Sequence, residues 1–298
     1  MSAPFHYRHS GLYVSSDLCL PEWEGFACED GDDVRITLES GQGPDYKEAD
    51  GTIVEREVIR FAIDGVGVWE IASGNTIRIY PREGVSEREL RLFTLGSAWG
   101  ALGYQRGLAM WHGSVVAKDD ETILFCGDAG MGKSTMAAAM LAHGWALVSD
   151  DLSRVDADLQ RAIVHPASTR IKLWRDAIEL LGWEKHILQR DHFRDYKFHL
   201  SAPDHHGGAG ALPLAAIFVL AEGNRFEIER LEGHRAVKAV LAATVYRPEM
   251  LEALDGWVGQ AQIAAQIVAR TPVFILRRPR DLGALGKLAQ TVEEHLSE

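Results

Sequence analysis

Cysteine is scarce in this chain. Only Cys19, Cys28 and Cys126 occur in 298 residues and none stands in C-x-x-C spacing, so neither a disulfide framework nor a cysteine zinc site is indicated. Reduced, buried thiols are expected. Long hydrophobic runs are also missing: the longest, residues 211–221, contains Pro213 and falls far short of the roughly 20 residues needed to cross a bilayer. Residues 1–10 are polar and His-rich, without the apolar stretch of a secretory signal, so a cytoplasmic location and no membrane partner are expected. Positive charge is in deficit. Thirty-one Lys and Arg face 43 Asp and Glu, and the net charge of −12 argues against nucleic acid or anionic lipid as partners, which need a concentrated basic face. Compositional bias is absent too: 46% hydrophobic and 25% charged residues describe an ordinary globular chain. At about 150 residues per domain, its length suggests about two domains.

Residues 34–38, 53–63, 67–71 and 76–80 are rich in Val, Ile and aromatics, with Asp64-Gly65 and Gly74-Asn75 as turns, and read as strands of a β-rich lobe over residues 1–84. Ser86 and Glu89 have capping-box spacing, and Leu90, Phe93, Ala98, Ala101 and Leu102 supply an apolar helical face, so residues 85–106 read as a linking helix. From 107 to 298, short apolar strands (114–117, 122–126, 146–149, 215–220, 273–276) alternate with helical stretches, as in an α/β domain. No internal repeat is present. Residues 204–210, DHHGGAG, read as a mobile loop whose adjacent histidines point apart, which disfavours a metal site. Residues 247–270 read as one long amphipathic helix and 281–296 as a C-terminal helix, both packing elements.

The strongest signal is Gly127-Asp128-Ala129-Gly130-Met131-Gly132-Lys133-Ser134-Thr135, which fits G-x-x-x-x-G-K-[ST] between an apolar strand and a run of helix formers. All nine residues are expected to contact nucleotide. The glycines let successive N–H groups point into one concavity, and the helix N-terminus adds partial positive charge. Lys133 is expected to neutralise the β and γ phosphates of ATP, and Ser134 to place its hydroxyl on Mg2+. Next, residues 144–149 form an apolar strand ending in Asp150-Asp151. Side chains at the carboxyl ends of strands meet in one crevice, so the two acids are expected near the γ phosphate. One can sit on the metal while the other accepts a proton from an attacking hydroxyl, unless one merely caps the turn. Arg170, Lys172, Arg175, Arg194 and Lys197 form a basic interval in which Arg170, Lys172 and Lys197 are candidate phosphate or substrate contacts. Arg277, Arg278 and Arg280 follow a strand and could reach nucleotide or peptide, although surface salt bridges are the commoner fate.

The order His112-Gly-Ser-Val-Val, then residues 127–135, then 144–151, resembles the catalytic core of the HPr kinase/phosphorylase family and its relatives. That resemblance implies a mixed-sheet P-loop kinase core of the phosphoenolpyruvate carboxykinase-like type. It implies His112 beside the transferred phosphate, Lys133 as a catalytic residue, Asp150 as general base and Asp151 with Ser134 on magnesium, the division between the two acids staying open. His112 reads equally as a core histidine bonded between strands. Thr135 stands where HPr-specific members have Glu, and Thr169-Arg170-Ile171-Lys172-Leu173-Trp174 stands in place of their Glu-Ile-Arg-Gly segment. The pattern of residues 11–22, with Leu276-Arg-Arg-Pro-Arg-Asp281, looks more like HPr-kinase-related proteins of peptide-biosynthesis clusters, including lasso-peptide kinases. The expectation is therefore an ATP- and Mg2+-dependent serine kinase whose phosphoacceptor is a peptide or small protein, foremost the C-terminal serine of a lasso-peptide precursor. An HPr(Ser) kinase/phosphorylase-type regulator, a small-molecule kinase and an ATP-binding switch without acceptor are the alternatives, and the resemblance leaves room for a homo-oligomer.

Overall fold

The computed structural model describes residues 3–41, 43–44, 53–55, 58–158, 160–206 and 210–297. The chain is mixed α/β and divides into two compact units, residues 1–110 with 246–262, and residues 111–245 with 263–298.

The first unit is built on β1 (Phe5–His9), β2 (Leu12–Ser16), β3 (Val34–Leu38), β4 (Ile53–Glu55), β5 (Val58–Ile63), β6 (Gly67–Ala72) and β7 (Thr76–Pro81). They form one sheet in the order β1-β2-β3-β7-β6-β5-β4, parallel at β2/β3 and β3/β7 and antiparallel at the other pairs. Alternation sends Val34, Ile36, Ile59, Ile71, Ile77 and Ile79 into the core, all fully buried. Residues 53–63, expected as one strand, are two: Glu55 faces Val58 across an antiparallel pair. The Ser86 capping box opens α1 (Glu87–Phe93), and a π-helical turn over Thr94–Ala98 leads into α2 (Trp99–Gln105). That extra-wide turn sets Thr94 Oγ1 to accept from Trp69 Nε1 at 2.9 Å while donating to the Leu90 carbonyl at 2.7 Å.

The second unit takes up the chain within β8 (Ala109–Lys118) and continues with β9 (Glu121–Cys126), α3 (Lys133–Ala142), β10 (Ala146–Ser149), β11 (Leu152–Ala157) and β12 (Ala162–Val164). Then follow β13 (Arg170–Trp174), α4 (Arg175–Leu181), β14 (Ile187–Arg190), β15 (Lys197–Ser201), β16 (Leu212–Glu222), β17 (Glu227–Leu231) and α5 (Gly233–Thr244). Residues 247–270, expected as one helix, are α6 (Pro248–Ala253) and α7 (Trp257–Val268). Asp255 takes a left-handed φ of 52° and the Gly256 N–H turns back to the Leu251 carbonyl, which ends the first helix. β18 (Val273–Arg278) and α8 (Leu285–Leu296) complete the chain.

The main sheet of this unit is mixed. β16 lies parallel to β9 on one side and to β18 on the other, while β8/β9, β8/β10 and β17/β18 are antiparallel. The carboxyl ends of β9, β16 and β18 therefore come out at one edge, where Gly127, Glu222 and Arg278 follow or end their strands. A second, antiparallel sheet has the order β13-β15-β14. Its Ile171, Leu173, Phe198 and Leu200 join Met136, Met140, Phe125, Phe218, Leu288 and Val292 in one core. Residues 204–206, expected as mobile loop, are fastened to β10: Leu147 N donates to the Asp204 carbonyl at 2.9 Å and His206 N to the Leu147 carbonyl at 2.8 Å. Residues 207–209 of that expected loop lie outside the described residues. Among the described residues no helix is long and apolar enough to cross a membrane.

Candidate functional site

β9 delivers the chain to Gly127, and six residues later α3 begins at Lys133. Gly132 sits at φ +80°, and a β-carbon there would stand 2.4 Å from Arg278 Nη2, so both conformation and space call for glycine. The rim residues Asp128, Ala129 and Gly130 are exposed. Lys133 is only 8% exposed and folds back over the loop, donating to the Gly127 carbonyl at 2.8 Å and the Asp128 carbonyl at 3.2 Å. Met136 N makes the first i→i−4 bond of α3, to the Gly132 carbonyl, so the N–H groups of Lys133, Ser134 and Thr135 precede the helix's own ladder. Donors without an intrahelical acceptor, a cation beside them and an exposed rim are the chemistry that holds phosphate.

The acid pair lies across from that loop. Ser134 Oγ donates to Asp150 Oδ1 at 2.8 Å, Ser114 Oγ donates to the same oxygen at 2.7 Å, and Lys172 N donates to Asp150 Oδ2 at 3.1 Å. Asp151 takes a left-handed φ of 71°, which sends its side chain elsewhere, into an ion pair with Lys172 Nζ. Desolvation and the neighbouring Asp151 charge push the Asp150 carboxyl above the usual range, against the pull of its three donors. Burial would raise Asp151 too, but Lys172 overrides it and holds that carboxyl well below its usual value. Lys172 is correspondingly held protonated, its own desolvation offset by Asp151.

His112, on β8, meets the Asp151 carbonyl through Nδ1 at 2.8 Å. A carbonyl only accepts, so Nδ1 carries the proton and Nε2 bears the lone pair of the neutral ring. Desolvation, then the Lys133 charge, lowers the pKa of His112 and favours that neutral form. Lys197, on β15, lies within electrostatic reach of Asp151, His112 and Lys133. The structure thus brings His112, Lys133, Ser134, Asp150, Asp151, Lys172 and Lys197 together, and places Arg170 two residues before Lys172 on the same face of β13. Arg277 and Arg280 pair with Glu229 and Glu222, whereas Arg278 donates to the Met131 carbonyl at 2.7 Å and closes over the loop. Ser114 was not singled out by the sequence, although its i+2 spacing from His112 on one strand puts both on one face.

Ser134 and Asp150 place a hydroxyl and a carboxylate oxygen side by side, oxygen donors of the kind magnesium takes, and the amides that open α3 with Lys133 are suited to an anion such as phosphate. Fold and site thus define a mixed α/β protein in which a glycine loop between a parallel strand and a helix faces a pair of carboxylates. No protein-family model and no curated protein matches the sequence. Among solved structures, the HPr(Ser) kinase/phosphatase from Coxiella burnetii is similar over 63% of this chain and 99% of its own, at 13% identity and a TM-score of 0.32.

Proposed function

We propose that the chain is an ATP- and Mg2+-dependent kinase that phosphorylates a serine hydroxyl on a peptide or small protein. The observation that carries this reading is the Ser134–Asp150 contact beside Asp151, which sets at one glycine loop two carboxylates whose acidities are shifted in opposite directions. A nucleotide switch needs one metal carboxylate and has no use for a second acid held ionised at a substrate position. Magnesium, when held by Ser134 and Asp150, would supply charge neutralisation to the nucleotide's phosphates.

The residues divide the work as follows from their contacts. Asp150, bonded to the loop serine, we assign with Ser134 to the metal side, and Asp151, turned away from that serine and paired with Lys172, to the acceptor, the reverse of the order implied by the family resemblance. Asp151 takes the proton of the acceptor hydroxyl as that oxygen bonds to phosphorus and the β–γ bridge breaks, releasing ADP. A weakly basic carboxylate suffices because the loose transition state transfers that proton late. Lys172 orients Asp151, His112 fixes the turn through the Asp151 carbonyl, and Lys133 and Lys197 offset charge on the transferred group.

Asp150→Asn is expected to shift the magnesium dependence of ATP binding to about tenfold or more higher concentration, a loss typical of a changed metal shell. Asp151→Asn is expected to bind ATP with magnesium as wild type does while losing transfer by a factor of about 10²–10⁴. Titration calorimetry with magnesium and ATP, alongside label transfer from γ-labelled ATP, separates the two, and the opposite pattern would restore Asp150 as base. The first acceptors to offer are serine-ending lasso-precursor peptides and HPr. Loss of ATP with no labelled acceptor would favour the switch.

A further inference from the structure

We propose that the outer face of the β13-β15-β14 sheet is the acceptor-docking surface, and that its occupant is an extended polypeptide with an acidic side chain beside the acceptor hydroxyl and a large apolar side chain about two residues away. The inference rests on the kinase reading and adds to it where, and by what chemistry, the acceptor is held.

Strand alternation divides the β13/β15 pair, whose register is unbroken, into two faces. Ile171, Leu173, Phe198 and Leu200 face the core, so Arg170, Lys172 and Trp174 share the outer face with their cross-strand partners Ser201, His199 and Lys197. Lys172 reaches Asp151, which fixes this face as the flank of the acid pair. Lys197 adds a second ammonium near the same carboxylate. Lys172 is taken up by Asp151, so in a chain of net charge −12 it is the Lys197 ammonium, within electrostatic reach of that carboxylate, that favours an anionic group next to the hydroxyl.

Beside Lys197 the face turns apolar. Trp174 lies two residues from Lys172, about 7 Å along an extended strand, and is 44% exposed. Tyr196, adjoining Lys197, and Phe193 in the same connection are each 68% exposed. Among the described residues, Trp174 on β13 and Phe193 and Tyr196 in the connection leading into β15 are exposed large apolar side chains of this sheet and its entry. The connection is fastened: Asp191, 7% exposed, accepts from Phe193 N and Arg194 N through Oδ1 and meets His199 Nε2 through Oδ2, while Arg175 N donates to the Tyr196 carbonyl at 2.8 Å. A preformed aromatic tip loses little freedom on binding. From Lys172, paired with Asp151, to Trp174 is about 7 Å of strand, about two residues of extended chain, which suits a polypeptide rather than a small metabolite.

The test is a serine-centred degenerate peptide library with γ-labelled ATP and magnesium, run on wild type and on Trp174→Ala/Tyr196→Ala, both exposed positions where truncation leaves the fold intact. Wild type is expected to select acidic residues next to serine and large apolar ones two or three positions away. The double variant should lose the apolar selection and raise KM for the best peptide by about tenfold, with kcat and peptide-free ATP hydrolysis unchanged. Labelling of the library without either preference, or an unaltered KM in the variant, overturns the docking surface and leaves the kinase reading standing. No labelled peptide from an enzyme that binds ATP brings down the kinase reading and this surface with it. A change of sedimentation in the variant in place of a change in KM would make the patch a contact between copies of the chain, which also overturns the proposal.

Discussion

Arg278 and Gly132 meet at the loop as a guanidinium laid on bare backbone. Arg278 is 8% exposed, its Nη2 is committed to the Met131 carbonyl, and its Nε is buried with no partner among the described residues. Desolvation lowers its pKa, and its hydrogen bond to the Met131 carbonyl ties its position to the loop. Gly132→Ala would demand a left-handed backbone from a residue with a β-carbon, a cost of about 1–2 kcal/mol, and would also push the guanidinium off Met131. The expected outcome is a loss of ATP affinity of about tenfold or more, each tenfold being about 1.4 kcal/mol. Arg278→Ala should weaken ATP binding by loosening the same loop, and the double variant should lose less than the two single losses combined, because the clash disappears with the guanidinium. Calorimetry on the four proteins checks this, and strict additivity would show that the two residues act separately. Lys133 and Ser134 were readable because their spacing is a motif. Arg278 was one of three candidate arginines in the sequence, since only the parallel placement of β18 beside β16 and β9 distinguishes it.

Across β5, β6 and β7, Arg60, Glu70 and Arg78 stand directly opposite one another, with Glu70 Oε2 to Arg60 Nε and Glu70 Oε1 to Arg78 Nη1 each at 2.7 Å. Burial alone would raise the Glu70 carboxyl, but the two arginines hold it below its ordinary value. A depressed carboxyl contributes stability that is fully present above the ordinary glutamate value of about 4.3 and is lost as pH falls through the lower folded value. Urea unfolding is therefore expected to show stability falling below about pH 4.3 more steeply in wild type than in Glu70→Gln, and Glu70→Gln should cost about 2 kcal/mol at pH 7. Equal slopes in the two proteins would remove the ladder from the acid response. Such a ladder cannot be read from sequence, because register decides which charges face each other. The same limit explains the second sheet: residues 170–174 alternate polar and apolar, yet without their partner strands they read only as a basic interval. Capping chemistry is local, and the Ser86 box stood where its spacing put it. The break at Asp255–Gly256 was hidden because apolar periodicity continues on both sides of it.

The first unit is discontinuous in the chain, and no shift in composition marks the return of residues 246–262 to it. What marks it is bonding. The Tyr104 hydroxyl donates to the Tyr246 carbonyl and accepts from Tyr246 N, Arg247 Nη2 donates to Ser97 Oγ at 3.0 Å, and Gln260 Nε2 donates to the Leu108 carbonyl at 2.9 Å. Met250 and Leu251 are buried, so losing the segment also removes apolar packing of about 1.5–3 kcal/mol per buried side chain. Trp111 and Val245 form an antiparallel bridge, which brings the residues on either side, Met110 and Tyr246, close enough to be joined directly. A polypeptide of residues 1–110 linked through a short Gly-Ser turn to residues 246–262 is expected to unfold cooperatively in urea, followed by tryptophan fluorescence. Residues 1–110 alone should unfold at lower urea with a shallower slope, because Tyr104 and the Leu108 carbonyl lose their partners along with the packing. If the shorter polypeptide matched the linked one in midpoint and slope, residues 246–262 would be a surface strap rather than part of the first unit's core.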